Sequence, residues 1–129
     1  MPMTFYDRGG RAVAYTEDDV HIFLYSGHPV GYIVGGSLYS FPGHHLGTLR
    51  AGWIRDHAGA GVLCTDEAVE ADGLTPPERH VKPPKLLKKT KPAKGPRAPV
   101  PVRPEDRAGW SEISPEAFFS EEGVPEGIR

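Results

Sequence analysis

The residues of this 129-residue chain with the chemistry to act are six histidines, one cysteine and a pair of repeat-related aspartates. His28 and His44 each follow a glycine at the same position of an internal repeat. A closed ring of repeats would point such positions toward one axis, which is what makes His28 and His44 a candidate metal pair. The other two copies carry Arg11 and Ala60 there, so no four-fold ligand ring exists, and no zinc-type spacing of Cys and His occurs. Solvent-exposed imidazoles on turns are the plainer reading. Asp56 and His57 could join Cys64 or Ser40 in a nucleophilic site, but no activated-nucleophile motif surrounds them. A lone cysteine on a strand is more often a small core residue. Asp7 and Asp56 stand three residues before repeated glycines, where carboxylates accepting backbone hydrogen bonds in a turn are favoured over paired acid–base work. Gly9-Gly10 and Gly35-Gly36 lie between strand-like segments and lack the following helix and GK[ST] of a phosphate loop. No catalytic residue and no cofactor is expected.

The elements that must position these residues begin with the repeat. Gly10, Gly27, Gly43 and Gly59 are 17, 16 and 16 residues apart. Three residues after each comes Val13, Val30, Leu46 or Val62, followed by Ala14, Gly31, Gly47 and, departing from the pattern, Leu63. Five residues before each lies Phe5, Ile22, Leu38 or Ile54. A second set of turn signals, Asp18-Asp19, Gly35-Gly36 and Ala51-Gly52, alternates with the first. Two turns in sixteen residues leave segments of about five residues, which suits strands and is too short for helices. The expected fold is therefore all-β, an antiparallel meander of about eight short strands arranged as four hairpins around a pseudo-four-fold axis. Gly10, Gly27, Gly43 and Gly59 serve its turns, while Gly31 and Gly47 leave room at the crowded axis.

Charge divides the chain. Residues 1–73 hold four arginines and no lysine against nine acids, a net −5. Residues 74–104 hold six lysines and three arginines against Glu78 alone, a net +8, and carry nine prolines. Residues 105–129 hold two arginines against seven acids, again −5. The expected organisation is a four-hairpin module over 1–66, an acidic connector over 67–73, an extended Pro/Lys-rich linker over 74–104 and a C-terminal docking segment over 105–129. Ser114-Pro115-Glu116 reads as a helix start, and Gly123 with Pro125 as its end. So short a helix cannot stand alone in water, so Trp110, Ile113, Phe118 and Phe119 need a surface to dock on. That surface is the β-module itself, a second copy or another protein.

Phe5-Tyr6-Asp7, Gly27-His28-Pro29-Val30-Gly31-Tyr32-Ile33, Leu38-Tyr39-Ser40-Phe41-Pro42-Gly43-His44-His45-Leu46-Gly47 and Gly52-Trp53-Ile54-Arg55-Asp56 occur in this order. The run resembles the four-fold beta flower domain over roughly residues 3–66, and Gly109-Trp110-Ser111 resembles the tail often attached to it. The resemblance implies the fold and supplies no catalytic residues. The functional expectation is a non-enzymatic binding or assembly module. One alternative is a small-ligand or metal-binding domain at the centre of the β-module, and a second is non-specific nucleic-acid contact through the basic linker. Against that last reading, no aromatic residues interleave the lysines, and the flanking segments are acidic. The first residues lack a basic stretch followed by an apolar one, and no apolar run approaches the ~18 residues of a membrane helix, so a cytoplasmic, bacterial-type protein with no membrane partner is expected. The single cysteine leaves no intrachain disulfide.

Overall fold

The computed structural model describes residues 3–70, 74–102, 105 and 109–120. Residues 71–73 of the expected connector, 103–104 of the linker and the helix end at Gly123 and Pro125 lie outside the described residues. Eight strands run in order: β1 (Met3–Tyr6), β2 (Ala12–Thr16), β3 (His21–Leu24), β4 (Pro29–Val34), β5 (Ser37–Tyr39), β6 (His45–Arg50), β7 (Trp53–Arg55) and β8 (Gly61–Thr65). Each pairs antiparallel with the next, and β8 returns to β1, closing a barrel. Closure removes both open edges of the meander. The seam is its narrowest pairing, with only Phe5↔Thr65 and Tyr6↔Cys64.

The four hairpins repeat in detail. In each, the anchor glycine donates its N–H to the carbonyl three residues back, as Gly10 does to Asp7 and Gly43 to Ser40. Within each hairpin the register slips once, directly after Phe5, Ile22, Leu38 or Ile54. The residue left unpaired is Val13, Val30, Leu46 or Val62, so each hairpin carries a β-bulge at the same place. A bulge puts two successive side chains on one face and bends the strand. Phe5, Ile22, Leu38 and Ile54 are fully buried and form the core with Ala14, Leu46, Val62, Leu63, Phe118 and Phe119.

Directly opposite the four large residues sit Ala14, Gly31, Gly47 and Leu63. The small residue answers mainly to the neighbouring hairpin's backbone, because a Cβ on Gly31 would stand 2.5 Å from the Tyr39 carbonyl oxygen. A Cβ on Gly47 would stand 2.3 Å from the Arg55 carbonyl oxygen and 3.1 Å from the Phe118 ring. Crowding at the axis is thus the smaller part of the reason for these glycines.

A second layer of aromatics lies outside the core, in the clusters Tyr15/Phe23/Tyr25, Tyr32/Tyr39/Phe41 and Tyr6/Trp53. The Pro/Lys-rich segment covers them. Residues 75–102 contain no helix or strand, yet they run against the barrel as a strap. The His80, Lys89 and Ala98 N–H groups donate to the carbonyls of Gly10, Gly27 and Gly43, and Leu86 and Gly95 donate to Tyr25 and Phe41. Leu74 is fully buried beside Trp53 and Cys64, against Gly61. Beyond the strap, Gly109–Ser111 bonds to Gly61 on β8, and Trp110 meets Trp53 edge-on at 5.4 Å. A single helical turn, α1 (Pro115–Phe119), comes next. The Ser114 side chain accepts from the Ala117 N–H, capping its start.

The strap's fit to the turns depends on the anchor glycines. Gly27 has φ +93°, and a Cβ there would stand 2.0 Å from the Leu87 carbonyl oxygen, which is inside contact distance. Gly35, in the opposite set of turns, has φ +55° with nothing within 4 Å of its missing Cβ, and Ala51 occupies the matching position at φ +53°. We expect Gly35→Ala to cost about 1 kcal/mol of backbone strain, and Gly27→Ala at least about twice that because the strap must also lift. Denaturant titration of both variants measures the two costs; equal costs would mean that the strap does not rest on Gly27.

Candidate functional site

The surface with the most repeated detail is the outer face of the barrel beneath the strap. Glu78, Leu87 and Pro96 each press a carbonyl oxygen onto the anchor glycine of successive hairpins. These residues are nine apart, as are the three N–H donors His80, Lys89 and Ala98. Cations then cover the aromatic rings. The Arg79 guanidinium lies 5.9 Å from the Tyr6 ring centroid, and Lys88 Nζ lies 5.1 Å from Phe23. Lys85 Nζ sits 4.5 Å from Tyr15 and Lys94 Nζ 4.6 Å from Tyr32. Partly exposed contacts of this kind are worth roughly 0.5–1 kcal/mol each. Glu17 binds both Lys85 and Lys88, and those two bonds hold its carboxyl below the usual range.

The residues singled out from the sequence are spread over this scaffold. His28 is exposed and His44 half-buried, on separate hairpins. Among the described residues no three His, Cys, Asp or Glu side chains converge to hold a metal ion. Asp7 Oδ1 accepts from the N–H groups of Gly9 and Arg11, and Asp56 Oδ1 from those of Ala58 and Ala60. Both carboxylates therefore brace their own turns, and Ser111 Oγ donates to Asp56 Oδ2, tying the tail to the fourth turn. Ser40 Oγ accepts from the His44 N–H in the third turn. Cys64 is fully buried, and burial pushes its thiol up to about 11, which leaves little thiolate. Phe118 and Phe119 are buried in the barrel core, Ile113 packs beside it and Trp110 packs on the Tyr6/Trp53 cluster, so all four tail residues dock on their own barrel. Apolar side chains from all four hairpins and α1 pack into one buried core. An open cleft of about 500 Å³ lies between α1 and the first two hairpins, lined by Val13, Leu24, Val30 and Phe119 among others.

One polar arrangement escaped the sequence. His45, 1 % exposed on β6, has Nδ1 3.0 Å from His57 Nε2 and Nε2 3.1 Å from Ser37 Oγ. The Tyr39 ring packs edge-on against it. One nitrogen of the His45–His57 contact must donate and the other accept, so the pair holds together only while at least one ring is neutral. Ser37 is buried, which makes it a partner for the ring rather than an accessible nucleophile. Burial, reinforced by the charge of His57, pushes His45 from its ordinary 6.5 down to about 4. Burial lowers His57 as well, with Asp56 pulling it back. Twelve residues separate the two histidines, and only the pairing of β6 with β7 brings them together.

Folding thus prefers neutral imidazole. The stabilisation is complete above the unfolded histidine value near 6.5 and is lost as pH falls toward about 4, where the unfolded chain holds protons that folded His45 refuses. We expect urea-unfolding free energies to drop by on the order of 3 kcal/mol across that window. His45→Gln should flatten the drop, and a variant that keeps the full slope would assign it elsewhere.

No curated protein and no solved structure matches the chain. A family model described as 4-fold beta flower protein matches residues 3–119, which takes in the barrel, the strap and α1 together. The chain belongs to the 4-fold beta flower family.

Proposed function

We propose that this protein is a non-enzymatic binding and assembly module whose contact element is the strap. The observation that carries this reading is where apolar surface remains exposed. Among the described residues the exposed large apolar side chains are Val69 and, on the strap, Val81, Leu86, Leu87, Val100 and Val102. Leu87 is 91 % exposed and Val81 94 %. Contiguous exposed apolar surface marks an interaction site, and Leu86 and Leu87 stand side by side on this segment.

The barrel prepares the segment for that role. Backbone bonds at five strap residues and the prolines between them hold the chain extended, so a partner need not supply the ordering entropy. All six strap lysines are exposed, Lys85, Lys88 and Lys94 lying over the barrel's rings and Lys82, Lys89 and Lys91 beside the apolar residues. The partner that complements this face is an acidic protein segment with interspersed apolar side chains. The pairing of Lys85 and Lys88 with Glu17 weakens the case for nucleic acid, since that carboxylate competes with phosphates for both cations. No helix among the described residues is long and apolar enough to cross a membrane.

A fluorescein-labelled peptide alternating Asp and Leu, titrated with the full chain at low and physiological salt, tests the proposal. Binding should weaken with salt and fall by about tenfold in Leu87→Ser/Lys89→Ser, a loss of ~1.4 kcal/mol. Equal binding by that variant, or none by the wild-type chain at low salt, would remove the strap as the contact element.

A further inference from the structure

The inner side of the strap follows a pattern that the outward reading does not need. Around Leu87, whose carbonyl seats on Gly27, Lys85 lies two residues before and Lys88 one residue after. Around Pro96, seated on Gly43, Lys94 and Arg97 take the same two places. Around Glu78, seated on Gly10, Arg79 keeps the second place but Pro76 fills the first.

The barrel varies in step with the strap. Lys85 lies over Tyr15, five residues after Gly10, and Lys94 over Tyr32, five residues after Gly27. The position that would meet Pro76 is five residues after Gly59, and it is Cys64, with no ring to offer a cation. The second place behaves likewise. Arg79 lies over Tyr6 and Lys88 over Phe23, each four residues before its anchor glycine. Tyr39 holds that position in the third hairpin, where its hydroxyl donates to the Ala98 carbonyl. The backbone completes the pattern, because Leu86 and Gly95 donate N–H bonds to Tyr25 and Phe41, whereas Pro77 has no N–H to give. A lysine thus occurs at the first place only where a tyrosine awaits it and the next strap residue has an N–H to donate.

From this matched variation we propose that the second and third grooves of the barrel form a two-site reader for an extended peptide carrying Lys-x-x-Lys/Arg twice at a nine-residue interval. In trans its occupant is the strap of a second copy of this chain. The chain's own strap is the same ligand held in cis, where tethering gives it a high effective concentration. Cation–π contacts set the basic positions at Lys85, Lys88 and Lys94, two N–H donors per groove set the phase, and the glycine at each turn admits the peptide backbone. Exchange of straps between copies links barrels without a new interface, because every contact made in trans already exists in cis.

The test weakens the resident strap and offers another. The full chain carrying Lys85→Ser, Lys88→Ser, Lys94→Ser and Arg97→Ser is titrated with a labelled peptide of residues 83–98. A second peptide lacks Lys91, which shortens the nine-residue interval by one. The first peptide should bind saturably and raise the melting temperature of the variant, and the second should bind about tenfold more weakly. Equal binding of the two peptides, or no binding of the first, overturns the reader. Should the variant not fold alone, deletion of Lys91 in the otherwise unaltered chain decides the matter by amide exchange. Protection should be lost at Gly95 and Ala98 and kept at Leu86 and Lys89, and undiminished protection at all four overturns the proposal. Neither readout involves an acidic partner, so failure here leaves the outward-facing role of Leu87 and Lys89 to its own experiment.

Discussion

A β-bulge repeated at one position in every hairpin is the constraint on which the rest of this structure depends. Without it, each two-stranded unit would send alternate residues to opposite faces, and Val13 could not share the inner face with Ala14. With it, two neighbouring residues of one strand face inward, Val13-Ala14, Val30-Gly31, Leu46-Gly47 or Val62-Leu63, against one large side chain from the other. The added bend turns four short hairpins into a closed ring, and closure supplies the hydrogen bonds that two open edges would lack. The close carbonyl approach that excludes a Cβ at Gly31 and Gly47 comes at these irregular positions.

A barrel this small has a thin interior, and its stability must be found elsewhere as well. The outward faces of its strands carry tyrosine, phenylalanine and tryptophan, which would be poor solvent-facing residues. The strap and tail convert them into a second buried layer. Leu74 and Trp110 pack beside Trp53, cations lie over Tyr6, Tyr15, Phe23 and Tyr32, and Phe118 and Phe119 enter the core. The family match over residues 3–119 runs across all three parts, in keeping with a unit whose barrel is completed by its strap and tail.

The parts legible in the sequence were those written in local chemistry. The anchor glycines, the apolar residues around them and the Ser-Pro-Glu helix start each act within a few residues of themselves, and the structure has them where their spacing implied. Asp7 and Asp56 bracing their turns belong to the same class. Two features resisted. The His45–His57 contact joins one strand to the turn after the next, so its meaning lies in a register that no local signal encodes. The strap's nine-residue period is present in its lysines and arginines, but without an apolar repeat it has the composition of a solvated linker. Only the rings beneath it give that period a purpose.

The amino-acid sequence by itself determined an all-β chain of four hairpins, because turn chemistry and strand length are short-range properties of the backbone. It determined also that a basic, proline-rich segment and an aromatic tail would come after them. Tertiary structure decided how those segments are used. It laid the basic stretch on the barrel rather than leaving it in solvent, seated three carbonyls on three glycines and buried the tail in the chain's own core. The physical reason is distance along the chain. Contacts between residues separated by about sixty positions are favourable only once closure has arranged the aromatic faces around one ring, and no single stretch of sequence contains that ring.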